Sequence, residues 1–207
     1  MSILIFLMIN FIWITILHLK KNRASQIEEG RSKEFWNRER KANDVRKKDI
    51  SNLAYITIPL DFLPIKESAD EQLTEIYQVI RSLADKKIVN LNHLSNTELK
   101  LQYGVSNLDK LSEYDNNYII LVQTIAKWGR YLYERSEYAD CQTVLEYGIE
   151  CNTDIKNNYI LLAQIYKANQ ESEKISHLIK KAEQLDTLLK SSIIDSLKKI
   201  QDIPISL

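Results

Sequence analysis

Two segments in the C-terminal part of the chain align with each other without a gap, at a constant offset that pairs Val122 with Lys156. In this alignment Gly129 corresponds to Ala163 and Gly148 to Ala182, so small residues recur where two helices must cross closely. A repeat of roughly 34 residues indicates a pair of helices that buries its apolar face by stacking on a neighbouring pair. Because the chain has only four Gly and three Pro, we predict an all-α fold with long helices.

The spacing resembles the tetratricopeptide repeat, a helix-turn-helix unit of the same length. This resemblance implies two helical hairpins plus a capping helix over residues 117–207, in a short α-solenoid. The sequence departs from the family pattern at the loop proline, where Thr153 and Thr187 stand, and at Ile175, where alanine is usual. The positions that carry the resemblance are Ile125, Trp128, Gly129, Leu132, Tyr138, Cys141, Leu145 and Gly148 in the first copy, and Tyr159, Leu162, Ala163, Tyr166, Ile175, Ile179 and Ala182 in the second.

The resemblance also implies a binding surface, because in this family the first helix of each hairpin lines a concave groove for peptides. Basic side chains in such a groove suit an acidic or phosphorylated ligand. The alternative is a solvated helix face that contacts no partner. The residues predicted by position to bind a protein or peptide are Gln123, Lys127, Arg130, Tyr133, Asn157, Gln164 and Lys167.

The first nineteen residues contain no charged side chain, and only Asn10, Thr15 and His18 interrupt the apolar run from Ile3 to Leu19. Seventeen helical residues rise about 26 Å, close to the roughly 30 Å of a hydrocarbon core. We therefore predict a single-pass transmembrane helix over residues 1–19. A cleaved signal peptide is the alternative, although the segment has neither a basic start nor a small-residue cleavage site.

Residues 20–48 carry 11 basic and 5 acidic side chains, whereas the whole chain is neutral. The positive-inside rule then places the C-terminal domain in the cytoplasm. We predict a basic juxtamembrane helix that contacts the lipid bilayer, including anionic headgroups, and no nucleic-acid partner. The alternative is a solvated charged helix. The predicted membrane-surface residues are Lys20, Lys21, Arg23, Phe35 and Trp36.

Between these parts, residues 49–66 are predicted to be an extended connector, because Pro59 and Pro64 disfavour helix in the residues before them. Residues 67–116 are predicted to be an irregular helical region with short helices at 69–86, 95–103 and 106–113.

Catalytic patterns are absent from the sequence. His18, His93 and His177 are scattered without metal-ligand spacing. Cys141 falls at a core position of the repeat, where a free thiol packs as a small apolar group. We therefore predict no cofactor, no metal and no enzymatic activity.

Taken together, these patterns predict a membrane-anchored helical-repeat protein, an adaptor or scaffold that binds another protein or peptide near the cytoplasmic membrane face. Two alternatives stay open at this point. In the first alternative the chain is a permanent structural subunit of a membrane complex. In the second it is an extracytoplasmic helical protein with inverted topology.

Overall fold

The computed structural model describes residues 2–67 and 70–202, and within the first helix it describes no side chains at 2–7, 9–12, 14–16 and 24. The described residues form helices and no strand, which confirms the all-α class. A single 3₁₀ turn, Val105–Asn107, precedes the fourth α-helix. The α-helices are α1 (Ser2–Asn43), α2 (Glu71–Ala84), α3 (Asn96–Tyr103), α4 (Leu108–Glu134), α5 (Tyr138–Glu150), α6 (Lys156–Ala168), α7 (Ser172–Glu183) and α8 (Lys190–Asp202).

The predicted transmembrane helix requires a correction. Within residues 2–67 and 70–202, no helix has both the length and the apolar character needed to cross a membrane. The prediction of a single-pass transmembrane helix over residues 1–19 is therefore wrong. The apolar start of the chain is no separate element: α1 continues through position 19 into the charged residues up to Asn43. The side chain of Asn10 lies outside the described residues.

The chain divides into two compact units, of which the first comprises Met1–Lys48 and Asn96–Leu108. Within it, the Glu39 carboxylate accepts a hydrogen bond from the Thr97 hydroxyl at 2.7 Å and forms an ion pair with Lys100. The buried Asn107 amide donates to the backbone carbonyls of Lys48 and Tyr103 at 2.8 and 2.7 Å. These bonds hold α3 and the 3₁₀ turn against the end of α1 and the residues that follow it.

The second unit comprises Asp49–Ser95 and Asp109–Leu207, and it contains both copies of the sequence repeat. The turns of its two hairpins have the same geometry. Ser136 and Gln170, which occupy equivalent positions in the two copies, both have positive φ, at 62° and 61°. The next residue in each turn donates its N–H to a carbonyl five residues back: Glu137 to Leu132 at 2.9 Å, and Glu171 to Tyr166 at 2.8 Å. The sequence repeat is thus also a repeat of backbone conformation.

The loops after the two hairpins share one hydrogen bond but differ in backbone conformation, since Asn152 has a φ of 57° and the equivalent residue Asp186 does not have positive φ. The Thr153 hydroxyl accepts from the N–H of Ile155 at 3.2 Å, and the Thr187 hydroxyl accepts from the N–H of Leu189 at 3.4 Å. A threonine side chain that bonds the backbone two residues ahead turns the chain. Since α6 begins at Lys156 and α8 begins one repeat length later, at Lys190, α8 is in register with the first helix of a third unit.

The outward side of α8 is polar. Ile193 and Leu197 are buried against the preceding helices, whereas Asp195, Lys198 and Lys199 are exposed. A polar outer face is what closes a stack of repeats at its end.

The core of the second unit forms around the crossing of α4 and α5. Gly129 is buried there, and a Cβ at this position would lie 2.3 Å from the Cδ2 atom of Leu145. The adjacent Trp128 ring packs edge-on against Tyr77 of α2, with ring centroids 5.3 Å apart. The thiol of Cys141 donates to the Gly129 carbonyl at 3.1 Å. The absence of a side chain at Gly129 therefore sets the approach of the two helices.

The non-helical residues 49–66 also contribute to this core. Ile58 and Leu63 are buried in it. The N–H of Ile56 donates to the Ile88 carbonyl at 2.9 Å, and the Tyr147 hydroxyl donates to the Thr57 carbonyl at 3.2 Å. The segment is thus bonded to α5 and to the loop after α2.

The fourth helix is longer than predicted. The sequence predicts a short helix at 106–113 and a repeat region from residue 117, whereas α4 continues without a break from Leu108 to Glu134. Tyr118 and Leu121 are buried on the same side as Ile125. One apolar face therefore extends along α4, and no Pro interrupts it.

We expect Gly129→Ala to lower the free energy of unfolding by about 1–3 kcal/mol, because the added methyl group overpacks a closed core. Chemical denaturation of the full chain measures this. Gly30→Ala is the matched control: Gly30 also lies inside a helix, and a Cβ there meets nothing within 4 Å. That control should stabilise the helix by up to about 1 kcal/mol. Equal effects of the two substitutions would contradict the close approach.

Candidate functional site

A groove runs along α4, with α2 on one side and α6 on the other. Tyr133 of α4 donates its hydroxyl proton to the Gln164 side chain of α6 at 3.0 Å, and Asn157 lies beside Ala126 and Arg130. Residue numbers rise in the same direction on both helices, so α4 and α6 are parallel neighbours. The cavity between the three helices, here called the α4 groove, has a volume of about 480 Å³. Its lining residues are Gln72, Ala126, Lys127, Arg130, Tyr131, Glu134 and Asn157.

The helix α2 forms one wall of the groove, and its position is fixed by a charged cluster at its N-terminus. Asp70 caps α2 by accepting from the N–H of Leu73 at 3.1 Å. The same carboxylate accepts from the Tyr131 hydroxyl at 2.6 Å and from the Arg135 guanidinium at 2.8 Å. The Arg135 guanidinium also lies 4.5 Å from the centre of the Tyr131 ring. These contacts tie the start of α2 to the end of α4, and so they place Gln72 at the groove.

The two cations of the groove are held by weak pairs. The Lys127 ammonium lies 3.4 Å from a carboxylate oxygen of Glu75 on α2, and these side chains are 49% and 63% exposed. The Nε atom of Arg130 lies 2.8 Å from Glu134, and these side chains are 70% and 61% exposed. Ion pairs in such contact with water contribute little to stability. Both cations can therefore exchange their present partners for a ligand.

The structure brings together some of the residues predicted to bind a partner. Lys127, Arg130 and Asn157 line the α4 groove. The side chains of Tyr133 and Gln164 form a hydrogen bond between α4 and α6. This bond holds the two helices together beside the groove. The remaining two predicted residues lie elsewhere.

Lys167 and Gln123 are outside the lining of the groove. The Lys167 ammonium donates to the Gln201 carbonyl at 2.8 Å, which links α6 to α8. Gln123 is an exposed residue of α4.

Three polar residues of the lining lie outside the set predicted from the sequence: Gln72, Tyr131 and Glu134. Glu134 stands four residues after Arg130, a spacing that places two side chains together on a helix, so this signal was readable from the sequence. Gln72 and Tyr131 had no such signal, because their place at the groove depends on how α2 packs against α4.

Two further cavities lie in the second unit. The larger, of about 580 Å³, is formed mainly by loops, and its acidic members are Glu150, Asp154 and Asp186. The smaller, of about 420 Å³, lies between α5 and α7 over Leu162 and Tyr166 of α6.

Both cysteines are buried free thiols. Burial raises the pKa of Cys141 to about 12 and the pKa of Cys151 to about 11. Such thiols are protonated at neutral pH and are poor nucleophiles. In the part of the chain that the structure describes, no three His, Cys, Asp or Glu side chains come together as a metal site. The expected lack of a cofactor and of enzymatic activity stays a prediction.

The predicted membrane-surface residues lie on α1 in the first unit. Lys20, Lys21, Arg23, Phe35 and Trp36 are all exposed. The rings of Phe35 and Trp36 contact each other edge to face, with centroids 5.3 Å apart. Their contact with lipid headgroups stays a prediction.

No protein-family model, curated protein or solved structure matches this chain. The resemblance to the tetratricopeptide repeat therefore stays a prediction that rests on the residues quoted above.

The Asp70 cluster makes stability depend on pH in the acid range. The hydrogen bond from Tyr131 is the largest cause that holds the pKa of Asp70 below its ordinary value, and the bond from the Leu73 N–H adds to it. A carboxyl with a lowered pKa in the folded state stabilises the fold at neutral pH. That contribution is lost as the pH falls from about 3.9, the ordinary Asp value, through the lowered pKa.

We therefore expect Tyr131→Phe to lower the unfolding midpoint at pH 7 and to flatten its decline on acidification. Thermal unfolding between pH 7 and pH 2 measures both effects. Tyr138→Phe serves as the control, because Tyr138 is exposed and its hydroxyl has no hydrogen bond within the described residues. An unchanged pH profile for Tyr131→Phe would contradict the assignment.

Proposed function

We propose that this chain is a helical-repeat binding protein whose α4 groove docks a segment of another protein. The observation that carries the proposal is the groove itself. It is a cavity of about 480 Å³ shared by three helices, and its two cations have exchangeable partners. A membrane anchor is not part of the proposal, because the described helices do not support one.

Two features of the groove favour docking over a merely solvated helix face. Its walls are fixed in advance by the Asp70 cluster on the α2 side and by the Tyr133–Gln164 bond on the α6 side. A preformed site avoids part of the entropic cost of binding. In addition, the exposed side chains of Gln72, Lys127, Arg130 and Asn157 come from three helices and converge on one cavity, which concave recognition sites require.

The proposal is tested by selecting peptides from a phage-displayed library of random dodecamers against the full chain. The binding of the selected peptides is then measured by fluorescence anisotropy. We expect Lys127→Glu combined with Arg130→Glu to weaken binding by about tenfold or more, because both side chains line the cavity and the double substitution reverses their charge.

The matched control is Lys198→Glu combined with Lys199→Glu, which makes the same change of charge on the exposed side of α8. This control should leave the affinity unchanged. The proposal fails if the library yields no binder, or if both double variants bind every selected peptide as the parent chain does.

A separate measurement distinguishes docking from the structural-subunit alternative. A binding module exchanges its bound segment, whereas a subunit retains a single partner at fixed stoichiometry. We expect a labelled selected peptide to dissociate within minutes when an unlabelled copy is added in excess. Purification of the chain only as a stoichiometric complex that does not exchange would favour the structural-subunit alternative.

A further inference from the structure

Glu134 occupies an unfavourable place in α4. It is the last residue of the helix, where the carbonyl ends of the helix dipole disfavour a negative charge. It also stands four residues after the arginine with which it pairs, and this order of charges is the weaker one on a helix. The carboxylate therefore gains little from its position in the helix, and its contact is with the Arg130 guanidinium.

The Arg130 guanidinium has N–H donors that form no hydrogen bond within the described residues. Its contact with Glu134 is made through Nε, and neither of its Nη atoms donates to an acceptor within the described residues. A guanidinium carries five N–H donors and binds a carboxylate best through two of them at once. The pair with Glu134 thus leaves the strongest geometry of Arg130 unused.

Lys127 adds a second cation one turn away on the same face of α4. Its contact with Glu75 is long, at 3.4 Å, and the groove lining itself contains Lys127 and Arg130 against the one carboxylate of Glu134. The neutral amides of Gln72 and Asn157 are exposed beside these charges, and neither forms a hydrogen bond within the described part of the chain. The cavity lining itself is therefore net cationic and has free amide donors, and the Glu75 carboxylate lies beside it as the partner of Lys127.

We propose that the α4 groove recognises an aspartate or glutamate side chain of the docked segment, and that Glu134 is the internal counter-ion that this carboxylate displaces from Arg130. This inference rests on the proposed function and names the chemistry of the occupant. Glu134 occupies the position of the ligand carboxylate when the groove is empty. Its displacement costs little, because its side chain is 61% exposed and returns to water.

A carboxylate fits this arrangement better than a phosphate group. The guanidinium already donates to a carboxylate of its own helix through Nε, and a ligand carboxylate can take its place with two donors of the guanidinium at once. A phosphoserine brings about −1.5 to −2 charges, and the Glu75 carboxylate beside Lys127 repels this larger charge more strongly than it repels a carboxylate. Phosphopeptide binding is thus an outcome that the experiment separates.

The test uses dodecamers selected from the random library. One selected peptide that contains Asp or Glu is synthesised in three forms: as selected, with each acid replaced by its amide, and with each acid replaced by phosphoserine. Each form is titrated against the parent chain, Glu134→Gln and Arg130→Gln. We expect Glu134→Gln to bind the acidic form about two- to fivefold more tightly, because the internal competitor is gone.

Arg130→Gln should bind the acidic form about tenfold more weakly, and both variants should change the affinity for the amide form by a smaller factor than for the acidic form. The matched control is the exposed pair of Lys33 and Glu29 on α1, which has the same i, i+4 spacing and side chains that are 72% and 65% exposed. Glu29→Gln and Lys33→Gln should leave all three titrations unchanged. Circular dichroism should show that Glu134→Gln unfolds at the parent temperature or higher, because a negative charge leaves the C-terminus of α4.

The outcomes separate this inference from the proposed function. Groove-binding peptides without acids, tighter binding of the phosphoserine form, or no gain in Glu134→Gln would overturn the inference and leave the proposed function standing. A library without any peptide that is sensitive to the Lys127→Glu and Arg130→Glu substitutions would overturn both. A gain in Glu134→Gln that is larger for the acidic peptide than for its amide form supports the inference.

Discussion

The second unit depends on the close contact between Gly129 of α4 and the Leu145 side chain of α5. Both residues are buried, and the space between them does not admit a Cβ without displacing the leucine. This contact brings the two helices together closely enough for the Cys141 thiol to reach the Gly129 carbonyl. In a close-packed interior, a change of one methyl group is felt by the neighbours. The position of α4, which carries the groove, is set in this way by the absence of a side chain on the opposite face of the helix.

The packing around Gly129 also determines the shape of the α4 groove. Tyr77 of α2 packs against Trp128, directly beside Gly129, so α2 is seated on the same part of α4. The Asp70 cluster then fastens the start of α2. On the other side, α6 lies parallel to α4 because the second hairpin repeats the first. The walls are thus held by buried or well-bonded contacts, whereas the cations that face the cavity are held only by exposed pairs. This division of rigid walls and exchangeable charges is what a docking site requires.

Much of the helical organisation was readable from the sequence because it is local. The constant offset between the two copies predicted two equivalent hairpins, and the turns at Ser136 and Gln170 have the same conformation. The N-terminal segment shows the opposite case. Its apolar composition predicted a separate transmembrane helix, but composition did not reveal where the helix ends, and α1 continues into the charged residues. The short helix predicted at 106–113 differs from the structure for a related reason: no Gly or Pro directly follows it, and one apolar face continues along α4 to Glu134.

The candidate site was only partly predictable. Position within the repeat placed Lys127, Arg130 and Asn157 together, because helical periodicity determines which side chains share a face. Tyr133, Gln164 and Lys167 each form a hydrogen bond to a neighbouring helix, which the sequence did not predict. The sequence by itself determined the all-α class, the repeat and the cationic face of α4, all of which follow from local periodicity. Only the tertiary structure decided that α2 forms the second wall and that Glu134 shares the cavity with Arg130, because a groove is a relation between helices that are distant along the chain.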